Sequence, residues 1–320
     1  MKSLKNFMMV IKKISMLFKK RKILVTHNGS FHADDIFATA TLSLLYNGSV
    51  KIVRTRDKGK IKNADIVYDV GGIYDPSKNL FDHHQNGGAG KRENGIEYAS
   101  FGLIWKHFGL QLCDGDKEVW EIIEDKIVAP IDAIDNGIDI VTPVYKDIMP
   151  YDLEQAFLVY SPTWEESNDD IDKIFKEQVN KICELLKREI SVAKSEVKGK
   201  NLILDVYNNA KDKRILISET PFPRYLFQKI VSELPEPVYF ICPSGHNEVL
   251  WKIETVRKNG HTMDSRKLFP ESWRGHFGGD SKLKEITTVD DAMFCHRSGF
   301  LMIAKSREGA IKLAELALLA

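Results

Sequence analysis

From Lys22 onward the chain alternates short apolar runs with longer stretches of helical period. KILVTHN is a compact β-branched and leucine run, which predicts a buried strand, and DDIFATATLSLLY predicts a helix with two acids in its first turn. KIVRTR and ADIVYDVGG predict two further strands of the parallel, both-faces-buried kind. QNGGAGKRENG reads as a loop. In ASFGLIWKHFG, Phe101, Ile104, Trp105 and Phe108 fall on one helical face, and 116–138 is predicted helical despite Pro130. Pro143, Pro150 and Pro162 punctuate an irregular connection. Beyond it a long amphipathic helix carries Ile171, Ile174, Phe175, Ile182, Leu185 and Leu186 on one stripe. NLILDVY, RILISE, a helix over PRYLFQKIVSEL, then VYFICPSG, VLWKIETVR, FLMIAKS and a final helix REGAIKLAELALL make up a second, smaller α/β set. The pattern therefore predicts a basic extension over 1–21, an α/β domain over 22–145, a linker over 146–170 and a second domain over 171–320. No internal repeat is present.

Composition narrows the class. With 320 residues, 43% of them hydrophobic, the chain is long enough for two cores. Its formal net charge of +1 excludes coating nucleic acid by bulk charge and leaves room for a local basic groove. No run of about 18 apolar residues predicts a membrane-spanning helix. The four cysteines, Cys113, Cys183, Cys242 and Cys295, are far apart, which argues for a reducing compartment and against a disulfide framework or zinc knuckle. The first 22 residues hold eight Lys or Arg and no acid. Lys12 and Lys13 interrupt the apolar stretch, which argues against a secretory signal. The expected location is the cytoplasm, with the mitochondrion as the alternative if this segment is a presequence.

The chemistry gathers in the first domain. His27, His32, Asp34 and Asp35 follow the first strand; Asp69 follows the third; then come Asp82-His83-His84, and Asp132 and Asp135 near the end of a helix. In open α/β sheets, ligands bind outside the carboxyl ends of the strands, so these clusters are expected to converge. Carboxylates and imidazoles without thiolate suit Mn²⁺, Fe²⁺ or Zn²⁺. There are more of them than one ion needs, and two ions about 3.5–4 Å apart would employ the set. Each residue alone has a structural reading: Asp34 as a helix N-terminal acid, Asp69 as a turn residue. Together they point to metal-assisted phosphoryl chemistry. In the second domain, Arg266, Arg274 and His296-Arg297-Ser298-Gly299 offer cationic forks and glycine backbone suited to phosphate. Trp273, Phe277 and Phe300 read as ordinary packing, and Cys242 and Cys295 as buried thiols.

Asp82-His83-His84 resembles the signature of the DHH phosphoesterase superfamily. THNGSFHADD, VRTRD, DVGGIYDP, FDHHQ and IDAIDNGI, with FPESWRG and FCHRSGF near the C-terminus, resemble more closely the melanocyte proliferating gene family within it. The resemblance covers about residues 23 to 315. It implies a DHH-type parallel-sheet domain followed by a smaller α/β domain, with the active site in the cleft between them. It also implies a metal-dependent phosphodiesterase, with a 3′→5′ exonuclease on RNA or short oligonucleotides as the expected activity. Two divalent ions are implied, Mn²⁺ first and Mg²⁺ or Zn²⁺ as alternatives.

Carried over by position, His27, His32, Asp34, Asp69, His83 and one of Asp132 and Asp135 would be metal ligands. Asp69 would bridge the ions, and His84 would contact the phosphate or supply a proton. Arg266, Arg274, His296, Ser298 and Gly299 would contact substrate. The first motif departs from the superfamily's H-x3-D-x-D, reading His27-x4-His32-x-Asp34, so an imidazole replaces a carboxylate. Asp135, two residues before Gly137, matches the relatives' D-x-G better than Asp132. Two other functions stay open: a small-substrate phosphatase or pyrophosphatase on the same metals, and a non-catalytic RNA- or nucleotide-binding protein. A homodimer is an open alternative for the assembly.

Overall fold

The computed structural model describes residues 20–146, 148–167, 169–245, 250–277 and 281–320. The basic segment before Lys20 lies outside them. Two compact units divide at Lys194 and Ser195, inside the helix Ile171–Asn209.

In the first unit, β1 (Lys22–Thr26), β2 (Val50–Arg54), β3 (Ile66–Tyr68), β4 (Tyr74–Asp75) and β5 (Leu80–Phe81) form a sheet in the order β2-β1-β3-β5-β4. β1 pairs in parallel with β2 and β3, and β3 with β5. The expectation of a wholly parallel sheet is corrected at β4, which runs antiparallel to β5. Only the short turn Pro76–Asn79 joins them, too few residues for the crossover that a parallel pair needs.

The helix Ala33–Leu45 follows β1 and is buried along nearly its whole length. Its hydroxyls do not spoil it. Thr39, Thr41 and Ser43 each donate to the carbonyl four residues back, at 2.6, 2.9 and 2.7 Å. Phe37 packs on Phe101 at 5.2 Å and edge-on to Phe157 at 5.9 Å. Phe157 belongs to the short helix Leu153–Leu158, within the stretch read as irregular. The expected helix over 116–138 is helical over Lys117–Asp135, with a π-helical turn at Glu124–Val128. That turn shifts the hydrogen-bond ladder just before Pro130, which lacks an N–H to continue it.

In the second unit, β6 (Ile215–Ile217), β7 (Tyr239–Pro243), β8 (Trp251–Thr255), β9 (Ala292–Cys295) and β10 (Leu301–Ala304) lie in the order β6-β7-β8-β10-β9. Only β6 and β7 are parallel. Alternation along β7 sends Tyr239 and Ile241 to a core with Phe269, Met302 and Leu313, and Phe240 and Cys242 to the other face with Leu216 and Phe227. The run NLILDVY, β-rich in composition, is the end of the long helix. Ile203, Val206 and Tyr207 all meet the second core, a helical spacing concealed by strand-favouring residues.

Candidate metal centre

The site grows from the carboxyl end of β1. His27 is buried there, and its Nδ1 sits 3.1 Å from the Asn28 carbonyl oxygen. That oxygen can only accept, so Nδ1 carries the hydrogen and Nε2 is the free ligand atom. Nε2 lies 3.2 Å from Asp69 Oδ2 and 3.4 Å from Asp35 Oδ2. Asp34 and Asp35 come from the first turn of Ala33–Leu45. Asp35 Oδ1 accepts from the His32 N–H at 3.0 Å, half of a capping box, and Asp34 Oδ1 accepts from the Phe101 N–H at 2.6 Å. The second oxygen of each is buried and has no hydrogen-bond partner.

Asp69 follows β3 in a left-handed conformation, φ 54°. Asp tolerates that region better than most side chains, and backbone held there is a recurrent feature of functional sites. Gly71 and Gly72 continue the turn at φ 104° and 70°, which requires glycine and aims the Gly72 N–H at Asp82 Oδ2, 2.5 Å away. Asp82 Oδ1 also accepts from the His84 N–H at 3.1 Å and stands 2.8 Å from His84 Nδ1. The first acid of the DHH run thus orients the last imidazole. His83 Nε2 reaches Asp69 Oδ1 at 3.5 Å and Asp135 Oδ2 at 3.3 Å, without a hydrogen bond to either.

Three overlapping donor sets result: His27, Asp35 and Asp69; Asp69, His83 and His84; Asp34, His83 and Asp135. Within each, the ligand atoms lie within 4.8 Å of one another. They open on a cavity of about 650 Å³, lined by His27, His32, Asp69, His83, His84 and Asp135, with Arg56 at its edge. The electrostatics suit a cation. Burial, with repulsion from Asp135 and Asp69, pushes Asp34 well above the usual carboxylate range. Burial and Asp69 push Asp35 up to about 7, and burial raises Asp135. Asp69 goes the other way: burial would raise it, but the imidazoles of His27 and His83 beside it favour its charged form and hold it low. Burial would lower His27 and His83, yet the surrounding carboxylates leave both raised. Unpartnered carboxylate oxygens with imidazoles and no thiolate are the donor set of a hard or borderline divalent ion, so the residues fit the expected metals.

Of the ligands expected from sequence, the fold brings together His27, Asp34, Asp69, His83 and Asp135. His32 stays exposed at the rim, its ring 5.9 Å from that of His27, outside all three sets. Asp132 points elsewhere: its Oδ1 accepts from the Gly102 N–H at 3.0 Å and its Oδ2 lies 2.7 Å from Arg92 Nη2. Asp35 joins as a ligand candidate that the sequence placed in the cluster after the first strand but not among the expected ligands. Its signal was its place beside Asp34, two successive acids on a helix that starts at a strand end.

In the second unit, Arg266 donates to the carbonyls of Arg257, Pro235, Pro237 and Ser232 at 2.7–3.2 Å, so its fork clamps its own chain. Arg274 Nε donates to the Phe269 carbonyl at 2.9 Å. The side chain lies over Gly299, φ 69°, where a Cβ would come within 2.6 Å of it. His296 accepts from the Ser298 N–H at 3.1 Å and packs on Phe300 at 4.4 Å.

Residues 23–318 match the family model MYG1_exonuc, described as Uncharacterised protein family (UPF0160). The chain belongs to this family. A MYG1 protein of Dictyostelium discoideum is 31% identical over 90% of this chain and 94% of that protein. A MYG1 protein of Schizosaccharomyces pombe is 32% identical, covering 92% and 97%. The MYG1 exonuclease of Homo sapiens is 30% identical, covering 92% and 85%. Among solved structures, exonuclease RecJ bound to manganese aligns over 94% of this chain and 90% of that chain at 10% identity and a TM-score of 0.27, a likeness too slight to carry an argument. No helix of the described residues is long and apolar enough to cross a membrane.

Proposed function

We propose that this chain is a metal-dependent phosphodiester hydrolase, an exonuclease that releases nucleotides from the 3′ end of RNA or short oligonucleotides. The observation that carries this reading is the overlap of three donor sets on Asp69 and His83, with buried oxygens of Asp34 and Asp35 left without partners. Family members similar over most of the chain bear the name MYG1 exonuclease, which favours nuclease chemistry over the small-substrate alternative. RNA as substrate and 3′→5′ polarity follow from the family resemblance.

His27, Asp35 and Asp69 would hold one divalent ion and Asp34, His83 and Asp135 a second, with Asp69 and His83 joining the two groups. When bound, Mn²⁺, Mg²⁺ or Zn²⁺ would polarise a phosphoryl oxygen and lower the pKa of a water. The chain's own residues arrange the rest. Asn28 fixes the His27 tautomer, Asp82 orients His84, and the Asp69 turn holds its carboxylate between two imidazoles. His84, the most exposed of the three imidazoles, would meet the phosphate or give a proton to the leaving oxygen. Arg274, His296, Ser298 and Gly299 are the proposed substrate contacts of the second unit.

The test is a panel of short RNA, short DNA, pyrophosphate and a dinucleotide, each with Mn²⁺, Mg²⁺ or Zn²⁺, with RNA labelled at either end. The expected result is metal-dependent shortening of 5′-labelled RNA one nucleotide at a time. Release of the label from the 5′ end first would reverse the polarity, and cleavage of pyrophosphate alone would overturn the nuclease reading.

A further inference from the structure

Beside the metal cavity lies a second, of about 660 Å³, which shares Arg56, Val70 and Gly71 with it, so the two adjoin. Its walls are cationic. Arg56, Lys58, Lys62 and Lys78 line it, and no carboxylate does. The whole chain is nearly balanced, with 46 Lys and Arg against 45 Asp and Glu, so four cations with no acid are a local concentration. Arg56, Lys58 and Lys62 are exposed and have no ion-pair partner among the described residues, while Lys78 meets Asp75 at 2.7 Å. The floor is aliphatic, made by Ile61, Ala64, Val67 and Leu80.

These features select a ligand. Unpaired cations beside an acidic, metal-suited cavity fit a polyanion that has one phosphate at the metals and others along the basic wall. A cavity of about 660 Å³ suits a short length of one strand. An aliphatic floor suits the faces of sugars, and the lack of aromatic side chains removes the stacking by which many single-strand grooves hold bases.

Resting on the reading of the metal cavity as a phosphodiesterase site, we infer that the groove of Arg56, Lys58, Lys62 and Lys78 carries the backbone of a single-stranded nucleic acid next to the scissile phosphate. Recognition there is of phosphates and sugars, independent of base sequence, and steeply dependent on salt.

The experiment measures binding of a fluorescein-labelled single strand of about ten nucleotides to the full-length protein. Chelator is present so that cleavage does not contribute, and salt is varied. Lys58→Glu/Lys62→Glu is compared with a charge-matched control, Lys305→Glu/Lys312→Glu, whose lysines are exposed in the second unit. The groove variant is expected to bind about tenfold more weakly or worse at low salt. Its log K against log salt should be shallower by about 1.4, two phosphate contacts at roughly 0.7 each, with the control losing less than half as much. Equal losses in the two variants, or no binding by the parent, overturn the inference. So does competition by inorganic polyphosphate as strong as that by an RNA of equal charge. The two readings fail separately. A parent that binds through the groove but degrades no nucleic acid defeats the exonuclease reading alone. A parent that degrades RNA while the groove variant binds like the control defeats the groove alone.

Discussion

Two groups of buried carboxylates lie in the first unit, and the helix Ala129–Asp135 gives one acid to each. Asp132 and Glu124 face Arg92, whose guanidinium reaches both and stacks on Tyr98 at 4.3 Å. Asp35, Asp69 and Asp135 pair with imidazoles, and Asp34 shares a donor set with His83 and Asp135. Burial raises Asp132 as well, to about 7, but Arg92 pulls the other way. The first group has its own permanent cation at ion-pair distance, and the second has no Lys or Arg that close among the described residues. A Cβ at Gly102 would come within 1.8 Å of Asp132 Oδ2, so the Arg92 pocket is closed by packing, whereas the imidazole group opens on a cavity. Buried acids with an internal counter-ion are part of the scaffold. Buried acids without one await a cation from outside.

The widest separation between the groups is expected in activity. Asp69→Asn keeps a side chain suited to the left-handed backbone but removes the charge shared by two donor sets. Hydrolysis should fall at least about a thousandfold, roughly 4 kcal/mol of barrier. A loss below about tenfold breaks the assignment of Asp69 to the metals.

Stability should separate them in the opposite direction. Arg92→Met strips the counter-ion from Glu124 and Asp132, both buried, and should destabilise the unit by about 3–5 kcal/mol in denaturant titration. Adding Asp132→Asn should recover part of that loss. If the single variant is as stable as the parent, Arg92 is not the compensating charge.

Asp35→Asn should abolish or severely reduce metal-dependent activity, yet stabilise the metal-free protein by about 1–3 kcal/mol, since the amide keeps the His32 cap and removes a repelled charge. The pH dependence has a definite sign. Asp35 titrates near 7 in the folded chain and near 4 when unfolded, so the folded state binds its proton more tightly. Metal-free stability from this group is therefore highest at low pH and declines as pH rises from about 4 through about 7. Thermal unfolding of chelated protein across that range should show the decline, and Asp35→Asn should lessen it. An unchanged slope would mean that Asp35 is not a repelled charge in the folded chain.

The smallest contrast lies between adjacent histidines. His83→Ala should lower both turnover and bound metal measured by elemental analysis. His84→Ala should lower turnover by about tenfold, roughly 1.4 kcal/mol, and leave most of the metal in place. Equal metal loss in both would give His84 the same standing as His83.

Local order in this chain was legible because it depends on local rules. The strand KILVT, the helix after it and the amphipathic stripe from Ile171 follow from burial periodicity, and Asp82-His83-His84 with THNGSFHADD carries the resemblance to the family that the chain belongs to. Spacing alone also located Asp34, Asp69, His83 and Asp135 at strand or helix ends. Three things required the folded chain. NLILDVY is helical because Ile203, Val206 and Tyr207 reach one core together, which overrides strand propensity. β4 turns back because its connection is too short to cross over. Asp132 and Asp135 differ because Arg92, distant in sequence, packs against one of them and not the other. A carboxylate's role is set by the charge that reaches it through space, and that charge arrives only when the loop bearing Arg92 closes on the helix.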